Sequence, residues 1–389
     1  MYLKLFTPFL FLIFLQIFCF LLYRGFTYIP SSGSEFFLIL IYFSSFFIII
    51  YLSIVFEKKA NHVISFSSKR FFDYSMLFIS LFFLVRPTIV LFGIGFENGF
   101  EYLRINYYED DSIQRLAYGS NIINALTNFY IVPSLWFYLI YVSNSNTKIA
   151  KFNFYFILIL LILFNLSYGG RFNIYFCMLV LFIKSVLNGE NFFKFIKKYF
   201  ILLLVLFVSS IIMLLSRKNR SIEDLSNEFL SLFEYHILPI FIFSQKIDTK
   251  RLNPDGYPFE VIINSLIAPF LFLFGLNGDK IPYIYIPKIL SEFSLYSNAT
   301  NNYYNAYGTL YSYFYIDFGY FTPVFFIIFC SYIFCGSYFL KDDMRIKYIA
   351  YFSFMLYTSL FQAPIFSPGA ITILILFPLL FSFLSKFSR

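Results

Sequence analysis

Charge is what this sequence has least of. Only 13% of its 389 residues are Asp, Glu, Lys or Arg, about half the share of an ordinary soluble domain. With 60% hydrophobic residues, that shortage points to lipid as the solvent for most of the chain. Cysteine is also scarce: Cys19, Cys177, Cys330 and Cys335 all lie in apolar runs, which reads as packing and excludes a disulfide framework or a zinc cluster. There are two histidines, His62 and His236, and no His/Cys group has ligand spacing. No GxxxxGK[ST] phosphate loop occurs, and the Asp-Phe-Gly at 317–319 lacks every other kinase element. Neither a metal nor a cofactor is expected. No solenoid repeat and no soluble domain of useful size is visible. The net charge of +8 matters by its placement in a membrane protein, so it is not read as a nucleic-acid surface.

Long apolar runs are there in quantity. A spanning helix needs roughly 20 apolar residues. Suitable runs lie near 4–23, 36–56, 74–95, 119–142, 152–168, 172–187, 199–215, 259–275, 319–340, 347–363 and 368–385. A further run at 229–245 is interrupted by Glu234, His236 and Pro239. The first run has only Lys4 before it and no small-residue cleavage site after it, so it reads as a retained helix rather than a removed signal.

Basic residues should gather in cytoplasmic segments. If the N-terminus is inside and 229–245 counts as a span, nineteen Lys and Arg fall inside, nine fall outside, and Arg86 stays within a span. The fold class expected is therefore all-α: a single polytopic membrane domain over 1–389, with about twelve spans and both termini cytoplasmic. Its outer loops are 96–118, 216–228 and 276–306. The stretch from Tyr303 to Phe318 is too polar to face lipid and too apolar for a free loop. A segment tucked into the bundle, or lining a cavity, satisfies both constraints.

The run 152–187 contains one arginine, Arg171, after Gly169 and Gly170. As one helix it would be about 54 Å long, against a hydrocarbon core of about 30 Å. Two helices joined by a tight glycine turn fit better. Arg171 then opens the second helix, where the dipole disfavours a cation, so helix stability does not explain it.

Other cations are sparse on this side. Arg217, Lys218 and Arg220 follow an apolar helix, and Arg86 lies beside Pro87 within a run. Guanidinium groups grip phosphate oxygens through a two-pronged fork, so a convergent set would suit a lipid-linked pyrophosphate. Each has a plainer reading: snorkelling at a helix end for 217–220, an interfacial anchor for Arg171, and a bond to a nearby carbonyl for Arg86. Asp317 reads as a general base, an arginine partner or a favourable charge at a helix start. Glu234 and Glu292 are weaker candidates. His236 is as readily structural as catalytic. The tyrosines between 303 and 315 suit sugar stacking or generic interfacial placement equally well.

Two stretches carry a family resemblance. "YGGRFNIYF" after an apolar helix resembles the Gly-x-Arg turn of Wzy-type oligosaccharide repeat-unit polymerases of O-antigen and capsule. "NAYGTLYSYFYIDFGYFTPVFFIIF" resembles the late segment of those proteins, where a polar stretch leads through Asp-Phe-Gly into a helix. The resemblance implies glycosyl transfer at the outer face of the bacterial inner membrane. A glycan on undecaprenyl pyrophosphate is the donor, and a lipid-linked repeat unit attacks through a sugar hydroxyl. Fixed cations would stabilise the departing pyrophosphate. Carried over by motif position, Arg171 is the first candidate for that task and Arg217 the second. Asp317 and His236 both stay open for the base. Arg86, Lys218, Arg220, Asn305 and Tyr307 are the substrate-binding candidates. Membrane lipid, a flippase and a chain-length regulator are the partners implied, and no nucleic acid. A ligase of the same architecture would carry a histidine in its late outer loop, and 276–306 has none. A flippase or other transporter would show internal repeats.

Overall fold

The computed structural model describes residues 1–57, 69–107, 111–167, 172–216, 225–250, 252, 259–273, 294–305, 309–361 and 364–379. Almost all of this is helix. Among the described residues, six stretches are long and apolar enough to cross a membrane: Tyr2–Leu22, Ser32–Glu57, Arg70–Asn98, Asn121–Val142, Lys148–Ser167 and Leu310–Phe339. The chain is a multi-pass, membrane-embedded protein. It divides into two compact units, one of Met1–Asn61 with Ser226–Arg389, the other of His62–Leu225.

The first unit opens with α1 (Tyr2–Leu22) and α2 (Ser32–Glu57). They run antiparallel, and the terminal amino group pairs with Glu57 at one end. The connection 23–31 closes the other end. It continues later with α11 (Leu225–Asp248) and α12 (Glu260–Leu273). The all-α expectation misses one feature, an antiparallel hairpin of β1 (Ser294–Ser297) and β2 (Asn302–Asn305) inside the segment read as an outer loop. Polar residues and a turn at 298–301 favour pairing over helix there, and Phe26 bridges Ser297 from the α1–α2 connection.

After the hairpin comes α13 (Leu310–Phe318), all nine residues of which are buried, followed by α14 (Thr322–Gly336). They do not form one straight span. Gly319, at φ 52°, turns the chain, a left-handed conformation suited to glycine. Phe318 then stacks on Phe325 at 3.8 Å and Phe314 meets Phe329 at 5.6 Å, so α13 folds back along α14. Its depth follows from α2. Tyr311 lies 4.8 Å from Tyr42 and Tyr315 lies 5.6 Å from Phe37, and Tyr42 is about 15 Å into α2 at 1.5 Å per residue. So α13 starts deep and rises toward the closed end of the α1–α2 pair. From the opposite side come α15 (Asp342–Thr358) and α16 (Pro368–Ile371). Between them Ser359 offers its carbonyl to the Leu310 N–H at 2.8 Å.

α11 departs from the span expected at 229–245. Part-way along it Glu234 bonds Tyr23, and at its end Asp248 bonds Tyr28, Ser31 and Ser34. Those partners all belong to the α1–α2 connection or the first turn of α2. The intervening 14 residues cover about 21 Å, which α11 spends passing from the end of α1 to the start of α2. Lys246 therefore does not lie at the far end of a crossing helix.

The second unit holds α3 (Arg70–Asn98), α4 (Phe100–Asn106), α5 (Asp111–Tyr118), α6 (Asn121–Leu126), α7 (Val132–Val142), α8 (Lys148–Ser167), α9 (Phe172–Leu187) and α10 (Phe192–Ser216). A π-turn at Thr127–Ile131 joins α6 to α7. The stretch 96–118, read as an outer loop, is mostly helical. The apolar run 152–187 breaks into α8 and α9 as the length limit requires, with residues 168–171 between them outside the described set.

Candidate functional site

Arg171, Arg217, Lys218, Arg220, Tyr307 and Glu292 lie outside the described residues. Whether the arginines converge with Arg86 lies outside them as well. What is described of Arg171 is its setting: α8 ends at Ser167 and α9 begins at Phe172. Asn305 closes β2, paired with Ser294.

Arg86 sits at the middle of α3 with Pro87, and α3 continues through both. Its Nη2 donates to the Leu116 carbonyl at 3.5 Å, in the last turn of α5. Arg86 lies about 18 Å before the end of α3, so α4 and α5 lead the chain back along α3 rather than away from it. A cation at a helix C-terminus is favourable, and Gly119, at φ 82°, leaves room for the guanidinium. This is the carbonyl-binding reading of Arg86.

Asp317 does not begin an apolar helix; it lies in the last turn of α13. Its Oδ1 and Oδ2 accept the Val261 N–H at 2.9 and 3.2 Å, at the first turn of α12. A carboxylate there satisfies an orphan donor and opposes the positive helix end. A helix-end charge was the expected plain role, but the helix served is α12, 56 residues upstream.

His236 is half-buried on α11, its ring edge-on to Phe361 at 5.3 Å, and its carbonyl accepts the Gln16 side-chain amide at 2.8 Å. Phe361 lies just past Ser359, the residue that meets the start of α13. Asp317 is at the other end of α13, about 10 Å along the axis. The two base candidates thus have different neighbours, Phe361 for His236 and the Val261 N–H for Asp317.

Two residues before His236, and so on nearly the opposite face of α11, is Glu234. It is fully buried. Oε1 accepts the hydroxyls of Tyr23 and Ser297, and Oε2 accepts that of Thr300 at 2.8 Å. Ser297 Oγ in turn accepts the N–H groups of Ala299 and Thr300, so the hairpin turn is wrapped around this carboxylate. Backbone bonds from Thr27 to Tyr296 and from Asn298 to Gly25 fix β1 to the α1–α2 connection. Three neutral hydroxyls satisfy Glu234 with no ion-pair partner among the described residues. Only one signal in the sequence marked it, a carboxylate interrupting an apolar run. Its partners are 211, 63 and 66 residues away, beyond the reach of any local pattern.

The first unit thus gathers its polar groups around α11. The hairpin and Glu234 lie on one face, and His236 with Phe361 lies on the other. On that second face, backbone outside the α-helices at Thr309, Ser359–Phe361 and Ser367 is buried, which lipid does not tolerate but packed protein does. Tyr313 stacks on Phe366 there at 4.9 Å. Among the described residues, no three His, Cys, Asp or Glu side chains gather as a metal site. No family model, no curated protein and no solved structure matches the chain.

Proposed function

We propose that the chain is a Wzy-type polymerase, a multi-pass protein of the bacterial inner membrane. It joins oligosaccharide repeat units carried on undecaprenyl pyrophosphate at the outer face of that membrane. The observation that carries this reading is the break of the 152–187 run into α8 and α9 around Tyr-Gly-Gly-Arg, with Arg171 immediately before α9. A cation at the start of a helix works against the dipole, which argues for an anion supplied from elsewhere, and a departing pyrophosphate is one. Arg217, Lys218 and Arg220 supply further positive charge in the scheme. Asn305, at the end of β2, and Tyr307 are the sugar-binding candidates.

The acceptor hydroxyl must lose a proton. Of the two residues considered for it, Asp317 has both oxygens engaged by Val261. His236 is left as the better choice, half-buried beside Phe361.

The test is the surface glycan. Deleting the gene from its host should leave lipopolysaccharide or capsule with a single repeat unit in place of a ladder, and the plasmid-borne gene should restore the ladder. A full ladder in the deletion strain would overturn the reading.

A further inference from the structure

Three helices of the second unit start with cations, where the dipole disfavours them. α3 opens with Lys69, Arg70 and Phe71; α8 carries Lys148, Lys151 and Phe152; and α10 opens with Phe192, Phe193 and Lys194, followed by Lys197 and Lys198. All of these cations are exposed. The neighbouring rings are exposed too, Phe71 by 85%, Phe152 by 60% and Phe193 by 82%. Each helix start thus presents a bare aromatic beside a bare cation.

Contacts place these starts at one end of the unit. Asn153 on α8 donates to the Asp73 carbonyl on α3 at 2.7 Å. Lys184, in the last turn of α9, donates to the Ser143 carbonyl at 2.9 Å and lies 3.8 Å over the Phe154 ring. Glu190 then links the end of α9 to α10, accepting from Ser185 at 2.8 Å and Lys198 at 2.7 Å. The result is one continuous basic rim. Among the described residues it holds two carboxylates, and neither offsets it. Asp73 is buried and accepts the Tyr138 hydroxyl, and Glu190 is spent on Lys198.

We propose that this rim binds the phosphates of anionic phospholipids of the phosphatidylglycerol or cardiolipin class. The exposed rings sit among the acyl chains, and the lysines and Arg70 face the headgroups. Charge complementarity selects this occupant, because a zwitterionic headgroup brings a cation of its own. The inference is independent of the polymerase reading and uses none of its residues.

Native mass spectrometry of the full chain in mild detergent tests it, with phosphatidylglycerol and phosphatidylcholine supplied separately. Phosphatidylglycerol should be retained preferentially, and less so at higher ionic strength. The variant Lys151→Gln/Lys194→Gln/Lys197→Gln should lose about fivefold in that retention for each lysine removed. The matching triple Arg variant should keep it. Should the Gln variant melt lower than the wild type, Lys194→Gln alone carries the comparison. Equal retention of both lipids by the wild type, or undiminished phosphatidylglycerol retention in the folded Gln variant, would overturn the proposal.

Discussion

The Asp317 carboxylate holds the Val261 N–H with both oxygens, at 2.9 and 3.2 Å, and so ties the last turn of α13 to the first turn of α12. A hydrogen bond to a charged group contributes about 1.5–3 kcal/mol. Asp317→Ala should lower the melting temperature of the detergent-solubilised protein accordingly, and Asp317→Asn, which keeps an acceptor, should lower it less. If Asp317→Ala melts like the wild type, the carboxylate is not holding α12.

Arg86 and Gly119 give a coupled pair. A Cβ at Gly119 would stand 2.9 Å from Arg86 Nη1, on a backbone with φ 82°. Gly119→Ala therefore incurs left-handed strain of roughly 1–2 kcal/mol and also displaces the guanidinium from the Leu116 carbonyl. In an Arg86→Ala background only the backbone part remains. Thermal melts of the two single variants and the double variant should show non-additivity, whereas strict additivity would mean that Arg86 does not occupy the α5 end.

These two residues show how far the sequence could be read. The apolar runs give most of the helices, since length and hydropathy are local properties. The split at 168–171 followed from length alone. The break at Gly319 was legible as well, since 303–318 is too polar to face lipid and the apolar run starts at 319; that the buried segment folds back along α14 was not, because only the ring contacts of Phe314 and Phe318 show it. α11 misled for a similar reason. Its run is marginal by composition, and only the bonds of Glu234 and Asp248 to one connection reveal that it does not cross. The hairpin at 294–305 was hidden inside a segment classed as a loop by polarity, and its pairing with Phe26 is non-local. Asp317 stood out as a buried charge, but the donor it serves lies on another helix.

Glu234 predicts a local effect. Glu234→Ala removes the acceptor shared by Tyr23, Ser297 and Thr300, and stranding a buried hydroxyl costs about 1–3 kcal/mol. Amide exchange across 294–305 should accelerate more than exchange in α1 or α15. Glu234→Gln keeps one acceptor oxygen and should lie between. Unchanged exchange in the hairpin would show that its backbone pairing to 25–27 suffices.

Asp248 sets a pH dependence. Burial opposes its ionisation, but hydrogen bonds from Ser31, Tyr28 and Ser34 outweigh that and hold the carboxyl below its ordinary value. The folded state then binds fewer protons than the unfolded one. The stabilisation is present above the unfolded pKa of about 4 and is lost as pH falls through the lowered folded value. Melting temperature should fall from roughly pH 5 downward, and Asp248→Asn should flatten that slope. Part of the slope should persist, because Glu190 has the same sign: burial raises its pKa, and bonds from Lys198 and Ser185 outweigh that to lower it. An identical slope in Asp248→Asn would remove Asp248 from the account.

Arg171 separates a functional charge from an anchor. An anchor at the membrane surface needs only a cation, so Lys would replace it. A phosphate fork needs the planar guanidinium with paired donors. With normal membrane insertion confirmed by fractionation, Arg171→Ala should abolish the glycan ladder and Arg171→Lys should restore it only in part. Full function in Arg171→Lys would make the residue an anchor by charge alone. Full function in Arg171→Ala would remove it from the chemistry, and the departing pyrophosphate would then need Arg217 and its neighbours as its principal cations.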